Sequence, residues 1–174
     1  MTKRAAVGIL MFVFVASVAG ANPVTAGDAL ALVKRLSGKW RGTTERGAPI
    51  EIDYQVAAKG STVIETQSPG EPDEMLTVYS IDGDQLVLTH YCPMGPIGNQ
   101  PHLVLDRATS SPNDLHFAFV SLSNLDAKKD VHLHSGTLKV VDDQHLERTW
   151  DVYKDGHKVA TEIFRLTREA SASR

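Results

Sequence analysis

A chain of 174 residues that is 42% hydrophobic and 22% charged has the length for one domain with a core of its own. Its formal charge of −3 argues against nucleic acid as a partner. A single cysteine, Cys92, permits no intrachain disulfide, so the thiol is a buried small hydrophobe, a ligand or a site of dimer formation.

The amino terminus reads as a secretory signal. Lys3 and Arg4 form the positive flank, Ala5 to Val18 is an apolar run short for a bilayer span, and Ala19-Gly20-Ala21 supplies an A-x-A cleavage site. Removal of residues 1–21 leaves 153 residues with a charge of about −5, since Lys3 and Arg4 go with the signal. The mature chain is expected to be periplasmic or secreted. It carries neither a cysteine at the cut nor a second long apolar run, so no membrane anchor is expected after cleavage.

Thr25 to Leu36 is predicted as a helix. Thr25 caps it with Asp28 at capping-box spacing, and Leu30, Val33 and Leu36, or Ala29, Leu32 and Leu36, form an apolar stripe before Gly38 ends it. So short a segment needs a larger body to pack on. From Lys39 onward the pattern is strand: Lys39 to Glu45, Ile50 to Val56, Thr62 to Gln67, Met75 to Ile81 and Leu86 to Cys92, with a strong hairpin signal at Asp82-Gly83. Five more follow: His102 to Arg107, Leu115 to Ser121, Val131 to Val141, His145 to Tyr153 and His157 to Thr167. About ten short strands joined by hairpins predict an all-β fold, a single antiparallel up-and-down barrel over residues 22–168. Residues 169–174 form a polar tail expected to fray.

Leu86 to Pro101 holds the candidate site. At period two, Leu86, Leu88, His90 and Cys92 share a face, so if the leucines enter the core the imidazole and thiol enter with them. The strand then breaks at Pro93, Gly95, Pro96 and Gly98, and Asn99 and Gln100 add two amides before Pro101. A polarity change of this kind marks the mouth of a pocket.

Gly38-Lys39-Trp40, after a short helix and at the start of the first strand, resembles the G-x-W opening of the lipocalin and calycin barrels. The resemblance implies that Trp40 closes one barrel end, with Arg165 or Arg168 from the last strand over its ring. A second resemblance covers nearly all of the mature chain. Gly60 to Thr66, Glu74-Met75, Asp82-Gly83-Asp84, His90-Tyr91-Cys92 and Gly98-Asn99-Gln100-Pro101 look like the motifs of a group of uncharacterised secreted bacterial barrel proteins. Pro93 to Ile97 lengthens the segment between the cysteine and the Gly-Asn-Gln-Pro motif relative to that group. The resemblance implies a barrel and a candidate site, with no established activity.

Two functions follow from these residues. In the first, the barrel holds a small, largely apolar molecule, with His90, Cys92, Tyr79, Asn99, Gln100, His132 and His134 as candidate contacts. In the second it holds a metal or haem, with or without catalysis, on His90, Cys92, His132 and His134, which are ligand types for zinc, copper or haem iron. This needs His132 and His134 on the inward face with Leu138 and Val140, unless Gly136 marks a bulge that swaps the faces. No G-x-S-x-G, H-E-x-x-H, P-loop or G-x-G-x-x-G occurs, so binding is expected before catalysis. Glu51, Glu65 and Glu74 read most simply as solvated residues, although Glu65 lines the barrel if Val63 faces inward.

Overall fold

The computed structural model describes residues 23–95 and 97–170; residues 1–22 (with the expected signal segment), Pro96 and the last four residues lie outside them. One α-helix, α1 (Ala26–Arg35), precedes ten strands: β1 (Gly38–Thr44), β2 (Pro49–Ala57), β3 (Thr62–Gln67), β4 (Met75–Asp82), β5 (Gln85–Tyr91), β6 (Gln100–Leu105), β7 (Asp114–Ser123), β8 (His132–Val140), β9 (His145–Lys154) and β10 (His157–Arg168). Each strand pairs antiparallel with its neighbours in sequence, and β1 pairs with β10 to close the barrel. Among the described residues no strand edge is left open. Closure is tight at Gly42, where a Cβ would stand 1.8 Å from the Arg165 carbonyl oxygen. Only glycine lets β1 and β10 approach so closely at that register, in which Gly42 faces Leu166.

The helix forms as its sequence dictates. Thr25 Oγ1 accepts from the Asp28 amide at 3.1 Å and Asp28 answers as acceptor from the Thr25 hydroxyl at 2.6 Å. Ala29, Leu30, Leu32, Val33 and Leu36 are all buried, so both candidate stripes merge into one broad apolar face. This face plugs the barrel end at which β1 begins. Trp40 is fully buried there and donates from Nε1 to the Leu36 carbonyl at 2.8 Å. Of the two candidate arginines, Arg168 covers the indole, with its guanidinium carbon 4.3 Å from the ring centroid. It also donates to the carbonyls of Ser37 and Arg35, both at 2.9 Å, and to that of Asp143 at 3.1 Å. A cation at the carbonyl end of α1 also suits the helix dipole. Arg165 instead points outward, is largely exposed, and lies 3.5 Å from Glu147. Beyond β10, Glu169, the first residue of the expected tail, is held by its amide to the Lys39 carbonyl at 2.8 Å, and residues 171–174 of that tail lie outside the described residues.

Candidate functional site

The open end of the barrel lies opposite α1, among the loops that leave β1, β3 and β5. Here a cavity of about 560 Å3 enters the barrel, a volume in the range of small-molecule sites. Its walls are mostly apolar, with Ile50, Met75, Leu133, Val152 and Phe164 among them. His90 and Trp150 also line it. A groove of similar volume, about 550 Å3, runs outside along β1 and β2. Of the carboxylates that line it, Glu51 is already paired with Arg41 at 2.9 Å and Lys39 at 3.2 Å.

The alternation of β5 does what its sequence predicts: Leu86, Leu88 and His90 are buried at every second residue, and Cys92 follows. His90 is 1% exposed. Its Nδ1 meets Thr77 Oγ1 at 2.8 Å, across the β4–β5 ladder where the two residues are directly opposed. Its Nε2 has no partner. Its ring centroid lies 5.0 Å from that of Trp150. Burial, aided by the nearby Arg148 charge, lowers the His90 pKa to about 3, so the imidazole is neutral at physiological pH.

Trp150 can occupy the inner face because Gly136 opposes it across β8 and β9; a Cβ there would come within 2.6 Å of the indole. Under Trp150 sits Arg148, fully buried, with its guanidinium carbon 3.6 Å from the ring centroid. Arg148 donates to the Thr137 carbonyl at 2.9 Å and reaches Glu65 at 3.4 Å. Glu65 in turn accepts from the Tyr79 hydroxyl at 2.5 Å. Val63, Glu65 and Gln67 all face inward, which overturns the simple reading of Glu65 as a solvated carboxylate. A charged pair this deep costs several kcal/mol to desolvate; both Glu65 oxygens and the Nε and Nη1 of Arg148 are paired against that cost, while Arg148 Nη2 is not. The pair was missed because Arg148 and Glu65 lie 83 residues apart, although the HLERTW run puts Arg148 in step with Leu146 and Trp150.

Of the other candidate contacts, Cys92 lines the cavity, and Tyr79, Asn99 and Gln100 do not. Tyr79 lies within the charged cluster and packs edge-on to Phe117, with ring centroids 5.9 Å apart. Asn99 is fully buried but stitches the loop together: its backbone bridges Cys92 with bonds of 3.0 and 2.9 Å, and its side chain donates to the Met94 carbonyl at 3.0 Å. Gln100 accepts from the Asn124 amide at 3.2 Å outside the cavity. Cys92 lines the cavity as a free, buried thiol. Burial pushes its pKa up, against hydrogen bonds from the Met94 backbone and the Asn99 side chain. That environment opposes thiolate chemistry.

His132 and His134 form a separate cluster, contrary to the inward placement needed to join His90. A register shift falls between Leu133 and Ser135 on β8, two positions before Gly136, and Leu133 is the residue that reaches the cavity. The two imidazoles gather instead with Phe119 and Tyr153: His134 stacks at 4.5 Å on the first and 4.0 Å on the second. His132 is held between the Asp130 carbonyl at 2.9 Å and His134 Nδ1 at 3.0 Å. Burial and the adjacent His132 lower the His134 pKa. Among the described residues, no three His, Cys, Asp or Glu side chains are grouped to hold a metal ion.

No family model matches this chain, and no curated protein matches it in sequence. Solved structures do match in shape. A crystal structure of a protein of unknown function from the DUF3598 family of Nostoc punctiforme PCC 73102 aligns over 79% of this chain with a TM-score of 0.52 at 15% identity. The chain spans about half of that protein, 48% of its length. Rv2717c from M. tuberculosis aligns over 82% of this chain and 98% of its own, with a TM-score of 0.54 at 17% identity. At these identities the likeness is one of fold. With the closed ten-stranded barrel, it fits a calycin-like architecture.

Proposed function

We propose that the mature chain is an exported small-molecule-binding barrel that takes a small, largely apolar molecule through its open end. One observation carries this reading: an apolar cavity of about 560 Å3 whose lining includes a buried, neutral imidazole with no partner on Nε2. A polar atom left unpaired at that depth costs roughly 1 to 3 kcal/mol, which a bound molecule would recover. The opposite end is sealed by α1, so entry is from one side. Export is supported by Lys3, Arg4 and the apolar run before Ala21, and mass spectrometry of the protein from its native host should find Asn22 as the first residue.

The binding test is direct. An apolar fluorophore such as 1-aminoanthracene should bind one saturable site on the wild type, and Ala160→Trp, which fills the cavity wall, should abolish it. Absence of saturable binding to a folded wild type sinks the proposal. A metal or haem reading draws on the same His90 Nε2, yet it is left with that imidazole and the Cys92 thiol, whose burial opposes the thiolate form, because His132 and His134 belong to another cluster. A visible absorption band in the protein as purified, lost in His90→Phe, would favour it.

A further inference from the structure

The cavity floor also specifies which polar group it accepts, an inference that rests on the small-molecule reading above. Thr77 is buried, and its one side-chain hydrogen bond among the described residues is to His90 Nδ1. If Nδ1 carried the imidazole proton, Thr77 Oγ1 would accept it and its own O–H would be a buried donor without an acceptor. Donation from the Thr77 hydroxyl to Nδ1 satisfies both groups and places the proton of the neutral ring on Nε2. His90 is therefore a donor at Nε2, and that donor is unpartnered.

Trp150 adds a second. Indole Nε1 can only donate, and it too is buried without a partner. The two rings lie 5.0 Å apart and both line the cavity. The cation behind them, Arg148, spends Nε on Glu65 and Nη1 on the Thr137 carbonyl, and although its Nη2 is unpaired, the residue does not line the cavity. The carboxylates of Asp73 and Glu162 also line the cavity, which disfavours an anion.

We infer that the floor recognises a neutral acceptor oxygen of the carbonyl class, as in a ketone, ester or amide on an apolar body, through the N–H groups of His90 and Trp150. The ligand would enter with its carbonyl leading and its apolar part against Ile50, Leu133, Val152 and Phe164.

Affinities of 2-octanone, 1-octene and octanoate, measured by displacement of 1-aminoanthracene, test the assignment on wild type, His90→Phe and Trp150→Phe. Comparing ratios between proteins cancels the different hydrophobicities of the ketone and the alkene. The ketone-to-alkene affinity ratio should fall about two- to tenfold in each variant, the effect of one hydrogen bond. In the wild type, the infrared carbonyl band of the bound ketone should move to lower wavenumber than in hexane. An unchanged ratio in both variants, an unshifted carbonyl band, or tighter binding of octanoate than of 2-octanone at pH 7 overturns the carbonyl assignment and leaves the carrier reading standing. Failure of the fluorophore and all three compounds to bind the wild type overturns both.

Discussion

Trp40 at the plugged end and Trp150 below the open end are built from the same parts. Each is a buried indole on an inner strand face with an arginine over its ring, Arg168 at 4.3 Å and Arg148 at 3.6 Å. They differ in what the indole nitrogen does. Trp40 Nε1 is spent on the Leu36 carbonyl, whereas Trp150 Nε1 has no protein partner. Their arginines differ likewise: Arg168 ties three backbone carbonyls around the helix terminus, while Arg148 is neutralised inside the barrel by Glu65. The first stack is finished as structure, and the second leaves hydrogen-bonding capacity for something else.

The largest expected effect lies at the finished end. Trp40→Ala should cost about 3 to 5 kcal/mol of stability, because it opens a cavity between α1 and β1 and leaves the Leu36 carbonyl unpaired. Urea unfolding measures it. A Trp40→Ala protein as stable as wild type that had lost binding instead would reverse the roles of the two tryptophans.

At the open end the expected signature is pH dependence. His90 has a folded pKa of about 3 against the ordinary imidazole value of 6.5, so the unfolded chain takes up a proton that the folded chain refuses. Its contribution is fully present above about pH 6.5 and is lost as pH falls from there toward 3, at no more than about 1.4 kcal/mol per pH unit. His90→Phe should therefore lose stability less steeply than wild type between pH 6.5 and 4.5, with the carboxylates common to both cancelling in the difference. Parallel pH profiles for the two proteins would mean that His90 is solvated.

Arg168→Ala comes next, at about 1 to 3 kcal/mol, from one cation–π contact and the backbone carbonyls it leaves behind. Arg165→Ala is its control: that side chain is 62% exposed, so its ion pair with Glu147 contributes little. Equal losses from the two would remove Arg168 from the closure.

The elements were legible in the chain because their signals are local. Period two in Leu86, Leu88 and His90, the Thr25–Asp28 cap and the Asp82-Gly83 turn are each decided within a few residues. The site was legible only where the same locality held, at His90 and Cys92. Glu65 and Arg148 are partners across the barrel interior, and no short window of sequence contains that contact. His132 and His134 leave the inward face of Leu138 because a register shift lies between Leu133 and Ser135, and one such shift, invisible in the alternation itself, reverses every face beyond it. Asn99 faced the right loop but spends its amide nitrogen on the Met94 carbonyl, a use that spacing does not reveal.

The smallest effect tests the comparison most closely. Trp150→Phe removes an N–H that the folded protein does not pair, and it keeps an aromatic ring between Gly136 and Arg148. Losing an unpaired buried donor relieves a desolvation cost, while the smaller ring gives up some packing and part of the cation–π contact. These terms oppose each other, so the net change should stay within about 1 kcal/mol. Trp40→Phe makes the same chemical change where the N–H is bonded, and should cost more because it strands the Leu36 carbonyl. Paired urea titrations of the two variants give the difference directly. If Trp150→Phe proves as costly as Trp40→Phe, its Nε1 is bonded in solution, by a buried water or a rearranged neighbour, and the floor of the cavity has no free indole donor to offer a ligand.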